Sequence, residues 1–195
     1  MRGAVKGFIV TAAAAAALVA APAQARAEGY VTPWVGSNWG SDISNGRATF
    51  GVNAGGMGAG IFGGEVDFGY SPSFFGTKND FGNNSVIDLM GNVIIGVPIG
   101  GTYGANVKPF VTAGIGLLRT QIDGGTLANV SSSNNMLGWN AGAGVMGYFN
   151  NHVGLRGDIR YLRGFEDLNT GNTVIDLSGN NNLRFWRLSA GVVLK

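Results

Sequence analysis

A two-residue alternation of apolar with small or polar side chains constrains the fold of this chain more than any other feature. It recurs at about Tyr30–Trp39, Ala48–Met57, Ile61–Tyr70, Val86–Pro98, Val107–Ile122, Met136–Phe149, Val153–Gly164 and Leu183–Leu194. Successive side chains of a strand point to opposite faces, so this period predicts strands. Gly, Asn and Ser clusters separate the stretches, as turns between strands require. Beyond residue 27 no segment approaches the roughly 18 consecutive apolar residues of a membrane-spanning helix. No capped run with a helical period is present either. The expectation is an all-β chain of eight strands.

The faces of those strands predict where the chain resides. In the seventh stretch Val153, Leu155, Gly157, Ile159 and Tyr161 share one face, opposite Arg156, Asp158 and Arg160. The third sets Phe62, Val66, Phe68 and Tyr70 against Glu65 and Asp67, and the eighth sets Trp186, Leu188, Val192 and Leu194 against Arg187 and Ser189. A water-soluble barrel would turn the apolar face inward and need charge on the other face of every strand. The second and sixth stretches have none, offering only Thr49, Gly51, Asn53, Gly55 and Gly138, Asn140, Gly142, Gly144. Glycine supplies 35 of the 195 residues, and small residues suit a cramped interior. The apolar face is therefore expected to meet lipid, with Trp39, Tyr70, Tyr148, Phe149, Tyr161 and Trp186 forming interfacial girdles.

Connection lengths predict the topology. Long connections alternate with short ones, the pattern of an up-and-down antiparallel transmembrane β-barrel with short periplasmic turns. Gly40–Arg47, Ser71–Ser85, Asp123–Asn135 and Phe165–Asn182 are then the exterior loops. Each stretch has at least the roughly 9–11 residues that a tilted strand needs to cross.

Residues 1–27 read as a secretory signal peptide, with residues 28–195 as the barrel domain. Arg2 and Lys6 precede Phe8–Ala21, 14 residues without a charge. Small-x-small sites follow at Ala23-Gln24-Ala25 and Ala25-Arg26-Ala27. Cleavage after Ala27 takes three cations from the thirteen, leaving ten against eleven acids. A near-neutral mature chain has no electrostatic footing for nucleic acid.

Four short matches suggest an internal repeat. Pro33-Trp34-Val35 resembles Pro109-Phe110-Val111, and Gly51–Gly55 resembles Gly138–Gly142. Asp67–Tyr70 resembles Asp158–Tyr161, and Asn84–Asn92 agrees with Asn172–Asn180 at seven of nine positions. Duplication of a four-strand unit would leave such matches; convergence on one strand code is the other reading.

Candidate chemistry is sparse. There is no cysteine and a single histidine, His152, in a predicted periplasmic turn. Gly58-Ala59-Gly60-Ile61-Phe62-Gly63 has glycine spacing found in dinucleotide sites, but strand-like sequence follows it where such a site needs a helix. It reads as a hairpin turn. Asp42, Asp80, Asp123, Glu166 and Asp167 match no calcium-loop spacing. No catalytic residue, cofactor or metal is expected. By parity Glu65, Asp67, Asp88 and Asp158 face the interior with Lys108, Arg156, Arg160 and Arg187. They predict a structural ion-pair network, with Glu65 or Asp67 reaching Arg156 or Arg160 and Asp158 meeting Arg187.

The opening Tyr30-Val31-Thr32-Pro33-Trp34-Val35-Gly36 resembles the small outer-membrane β-barrel family, OmpA/OmpX-like. Gly64–Phe68, Lys108–Gly114 and Gly154–Tyr161 share that resemblance, which spans Glu28–Lys195. It implies a barrel inserted by the outer-membrane assembly machinery and residing, as a monomer, among outer-membrane lipid and lipopolysaccharide. Such barrels usually end in an aromatic residue, whereas this sequence ends Val192-Val193-Leu194-Lys195. The expected role is an anchor whose loops meet an unidentified surface partner. A narrow channel, a conduit for apolar ligands and a lipid A-modifying enzyme are the alternatives.

Overall fold

The computed structural model describes residues 27–40, 43–74, 83–101, 104–123, 131–165 and 183–195. Residues 1–26 of the proposed signal segment, residues 171 and 172–180, and the acids at 42, 80, 166 and 167 lie outside the described residues. Eight strands follow one another: β1 (Ala27–Gly40), β2 (Ile43–Gly58), β3 (Phe62–Pro72), β4 (Asn83–Gly96), β5 (Asn106–Asp123), β6 (Ser131–Tyr148), β7 (Val153–Gly164) and β8 (Arg184–Leu194). Each pairs antiparallel with its chain neighbour, and β8 pairs with β1 to close the barrel. Closure satisfies backbone groups strand to strand and leaves no edge, as a hydrocarbon environment demands.

Short connections sit at one end. Between β2 and β3, Gly58 O accepts from Ile61 N at 3.1 Å, and Ala59 and Gly60 have φ of 51° and 71°. Positive φ at both central residues is the primed hairpin geometry that matches strand twist. Between β6 and β7, Asn150 Oδ1 accepts from the backbone N–H groups of His152 and Val153, each at 2.8 Å.

At the other end the strands outrun the sequence reading. Gly40 pairs with Ile43, and the β5–β6 ladder continues to Asp123↔Ser131. Much of the segments expected as loops at Gly40–Arg47 and Asp123–Asn135 is therefore strand. Backbone ladders sustain these extensions, and a polar run such as Ser131–Asn135 carries no apolar alternation to reveal them. Because β7 pairs with β6 only from Gly138↔Gly164, the β4–β6 side of the rim stands higher.

The outer face is apolar: Val35, Phe50, Val93, Ile115 and Leu188 are all at least half exposed. The interior has three layers. At the long-connection end Phe74, Val86, Met90, Leu118, Leu162, Leu183 and Phe185 form one apolar cluster. At the other end Tyr30, Met57, Ile94, Phe110, Met146, Tyr148 and Val193 form a second. Charge lies between, as the inward residues of β8 show in order: Phe185, Arg187, Ser189, Gly191, Val193. Tyr148, expected in a lipid girdle, is thus an interior residue and 4 % exposed. An eight-strand interior is just wide enough for side chains to fill, so its ends can be packed with apolar groups.

Candidate functional site

The middle layer is built by strands from both halves of the chain. β3 projects Glu65 and Asp67 inward, β4 Asp88, β7 Arg156, Asp158 and Arg160, and β8 Arg187; all are at most 3 % exposed. Arg160 is the hub, with Nη2 2.8 Å from Glu65 Oε1, Nη1 3.2 Å from Asp67 Oδ2 and Nε 3.1 Å from Asp158 Oδ1. Arg156 holds both oxygens of Glu65, with Nη2 3.2 Å from Oε1, and its Nε is 2.8 Å from Asp158 Oδ2. Arg187 pairs with Asp67 and, at 2.9 Å, with Asp88 Oδ1. Asp158 takes its third partner from Ser189 Oγ at 3.0 Å, not from Arg187 as parity alone suggested.

Lys108 departs from the expected network. It is inward and 1 % exposed, but its Nζ lies 5.6 Å from the centroid of Tyr148 in the apolar end layer. Among the described residues no carboxylate oxygen lies within 4 Å of it. Parity placed it on the correct face at the wrong depth. Near it Lys195 Nζ meets Glu28 Oε2 at 2.5 Å and the Tyr148 ring at 4.0 Å.

Sequence reading overlooked the neutral groups that complete the layer. Trp34 stacks on the Arg187 guanidinium at 4.4 Å and donates Nε1–H to Asn53 Oδ1 at 2.8 Å. Phe110 stacks on Arg156 at 4.5 Å. Tyr30 donates its hydroxyl to Glu65 Oε2 at 2.7 Å, and Asn140 Nδ2 donates to Asn92 Oδ1 at 2.7 Å. Trp34 and Phe110 occupy matching places in the two Pro-aromatic-Val segments, a signal that pointed to a shared role.

Glycine makes room for these side chains. A Cβ on Gly69 would collide with the Asp88 carboxylate and come within 2.8 Å of Arg187 Nη1. On Gly144 it would lie 2.6 Å from both Phe110 Cζ and Asp158 Cβ.

The arrangement binds charge to charge. Glu65 and Asp67 are occupied by guanidinium groups and enclosed by protein. His152 is exposed in the β6–β7 turn, and the segment from Gly58 is a hairpin turn. Among the described residues no group of three His, Asp or Glu side chains is placed to hold a metal ion.

Residues 10–195 match the family described as outer membrane protein beta-barrel domain. No curated protein matches the chain in sequence. Among solved structures, Neisserial surface protein A superposes with a TM-score of 0.63 at 21 % identity, covering 87 % of this chain and 98 % of that one. The N-terminal β-barrel domain of Pseudomonas aeruginosa OprF does so with a TM-score of 0.52 at 14 % identity, again over 87 % and 98 %. At such identities the likeness is one of fold.

Proposed function

The chain belongs to the outer membrane protein beta-barrel family, and from that premise we propose that it is an outer-membrane anchor whose exterior loops meet a surface partner in adhesion or envelope interaction, without catalysis or cofactor. The family and fold place it in the cell outer membrane, with the apolar belt in the bilayer. In this reading the assembly machinery inserts it as a monomer, and its wall is surrounded by outer-membrane lipid and lipopolysaccharide.

The layered interior is the observation that carries the reading. A channel needs a continuous wet path, but here apolar clusters stand on both sides of an ion-paired layer. That leaves the exterior connections as the surface able to act on other molecules. In planar bilayers the purified protein should show almost no conductance, and a large steady conductance would favour the channel alternative. A partner captured from intact cells by the full protein, and lost when residues 75–82, 124–130 and 166–182 are shortened, would support loop presentation. Equal capture by the shortened barrel would overturn it. An altered lipid A mass on expression would instead identify an enzyme.

A further inference from the structure

The apolar cluster toward the exterior end does not run all the way round the wall. Its strand members belong to β4, β5, β7 and β8, with Met136 of β6 packed against them, and none belongs to β1, β2 or β3. Those three strands turn Asn38, Thr49 and Ser71 inward instead, each at most 2 % exposed. The cluster at the short-turn end has no such gap on β1 and β2, which supply Tyr30 and Met57.

The three polar side chains form a directed relay. Asn38 Nδ2 donates to Ser71 Oγ at 2.7 Å, Ser71 Oγ to Thr49 Oγ1 at 2.9 Å, and Thr49 Oγ1 to the Tyr70 carbonyl at 3.2 Å. A carbonyl only accepts, so the last bond fixes the sense of the two before it. The Asn38 amide therefore gives its nitrogen to the relay and keeps its oxygen for another partner. That Oδ1 is buried and has no hydrogen-bond partner among the described residues.

Asn38 stands between two arginines. Its cross-strand partner on β2 is Arg47, and on β8 it is Arg187. Residues directly opposite each other hold their Cβ atoms about 4.5–5.5 Å apart. Arg187 extends Nη1 and Nη2 across the lumen to Asp88 and Asp67, while its Nε remains near its own strand. That Nε is also buried without a partner among the described residues, as is Nε of Arg47. By contrast, Nε of Arg156 and of Arg160 both bond Asp158. Across β8, β1 and β2 the row thus reads donor, acceptor, donor. Arg47 is only half-buried, so the row opens at the exterior mouth.

We propose that this row is a hydration site, in which water held by Arg187 Nε, Asn38 Oδ1 and Arg47 Nε forms a blind polar well that wets the ion-paired layer from the exterior side alone. A buried water typically makes about 3 hydrogen bonds to polar groups that lack other partners. An anion would meet the lone pairs of Asn38 Oδ1, and a cation would meet two guanidinium groups. A neutral molecule that both donates and accepts suits the row. An eight-strand interior filled by side chains admits none larger than water. The well ends at Arg187, which makes it the layer arginine in contact with solvent. This goes beyond loop presentation and does not depend on it.

The test is water-edited solid-state NMR of the full-length barrel, labelled at arginine and asparagine, in phosphatidylcholine bilayers. Magnetisation from water should reach Arg187 Nε and the Asn38 amide severalfold faster than Arg156 Nε and Arg160 Nε, the dry references in the same molecule. Equal rates at the three arginines would overturn the proposal. So would a slow rate at Asn38, which would mean that a donor from the protein occupies Oδ1. Asn38→Leu, shown to be folded by its boiling-dependent gel mobility, should slow transfer to Arg187 Nε to the rate of the references. Undiminished transfer in that variant would refute the site. The one-sided opening is read separately. The chain has no cysteine, so an introduced thiol stands alone. Thr49→Cys should react with methyl methanethiosulfonate severalfold faster than Ile94→Cys, whose site lies in the cluster at the short-turn end. Equal rates would show that the well is not blind and overturn it.

Discussion

Arg160 Nη2 donates to Glu65 Oε1 at 2.8 Å across the lumen, joining residues 95 positions apart in the chain. Because Arg160 also serves Asp67 and Asp158, its loss strands carboxylates that lipid, apolar layers and backbone all shut off from bulk water. Breaking a buried pair from one side typically costs about 3–5 kcal/mol. Arg160→Leu is expected to fall in that range by urea unfolding in detergent or lipid. Glu65→Leu should cost less, since Arg156 and Arg160 keep other partners. The double substitution should cost less than the sum, with a coupling of about 0.5–3 kcal/mol. Strict additivity would refute the pairing.

Two glycines on opposite sides of the barrel, Gly69 on β3 and Gly157 on β7, should respond differently. Gly69→Ala drives a methyl into the Asp88–Arg187 pair and is expected to destabilise the barrel by about 1–3 kcal/mol. Gly157→Ala faces outward, where the nearest atom to the new methyl is Ser189 O at 4.0 Å. Its unfolding midpoint should stay at the wild-type value. Equal midpoints for the two variants would show that the interior yields more than its packing implies.

The β2–β3 turn holds a correctable strain. Ala59 adopts φ of 51°, a left-handed conformation that is costly for alanine and tolerated by asparagine. Ala59→Asn should therefore stabilise the barrel by about 0.5–1 kcal/mol. A lower midpoint in urea would argue against the primed turn.

Orientation can be read on living cells. Epitopes inserted near Asn79 and Gly171 should be accessible without permeabilisation, whereas one near Asn151 should not. Asn151 lies in the short β6–β7 turn, and short turns mark the periplasmic end. Surface labelling at Asn151 would invert the topology.

Much of the fold was legible because lipid makes a demand at every second residue. The bounds of β7, Val153–Gly164, follow directly from that alternation and the turn residues before it. The demand ends where the bilayer ends, so the ladder from Ser131 upward left no mark in the pattern. It also stops at the inner face. Val86, Met90, Ile94 and Val193 are inward and apolar, and nothing in a two-residue period distinguishes them from residues of a wet lumen. Parity assigns a side chain to a face but not to a height, which is why Lys108 fell one layer away from the carboxylates. Partner choice was equally hidden. Arg187 reaches Asp67 and Asp88 across the barrel because the stagger of the strands sets those heights, and that stagger is a property of closure.

The glycine at position 69 has a counterpart. Half a turn about the barrel axis carries β3 onto β7, and the matched segments then place Glu65 on Arg156, Asp67 on Asp158 and Gly69 on Arg160. Glu65 and Arg156, equivalent under that pseudo-twofold rotation, are also each other's ion-pair partners. A barrel assembled from two copies of β1–β4 would confront glutamate with glutamate. One from two copies of β5–β8 would force arginines together and fill the space that Gly69 leaves vacant. The two halves are thus complementary in sign and in volume, and each is a poor mate for its own duplicate. Where many chains are synthesised side by side, that asymmetry disfavours the pairing of like halves from different copies.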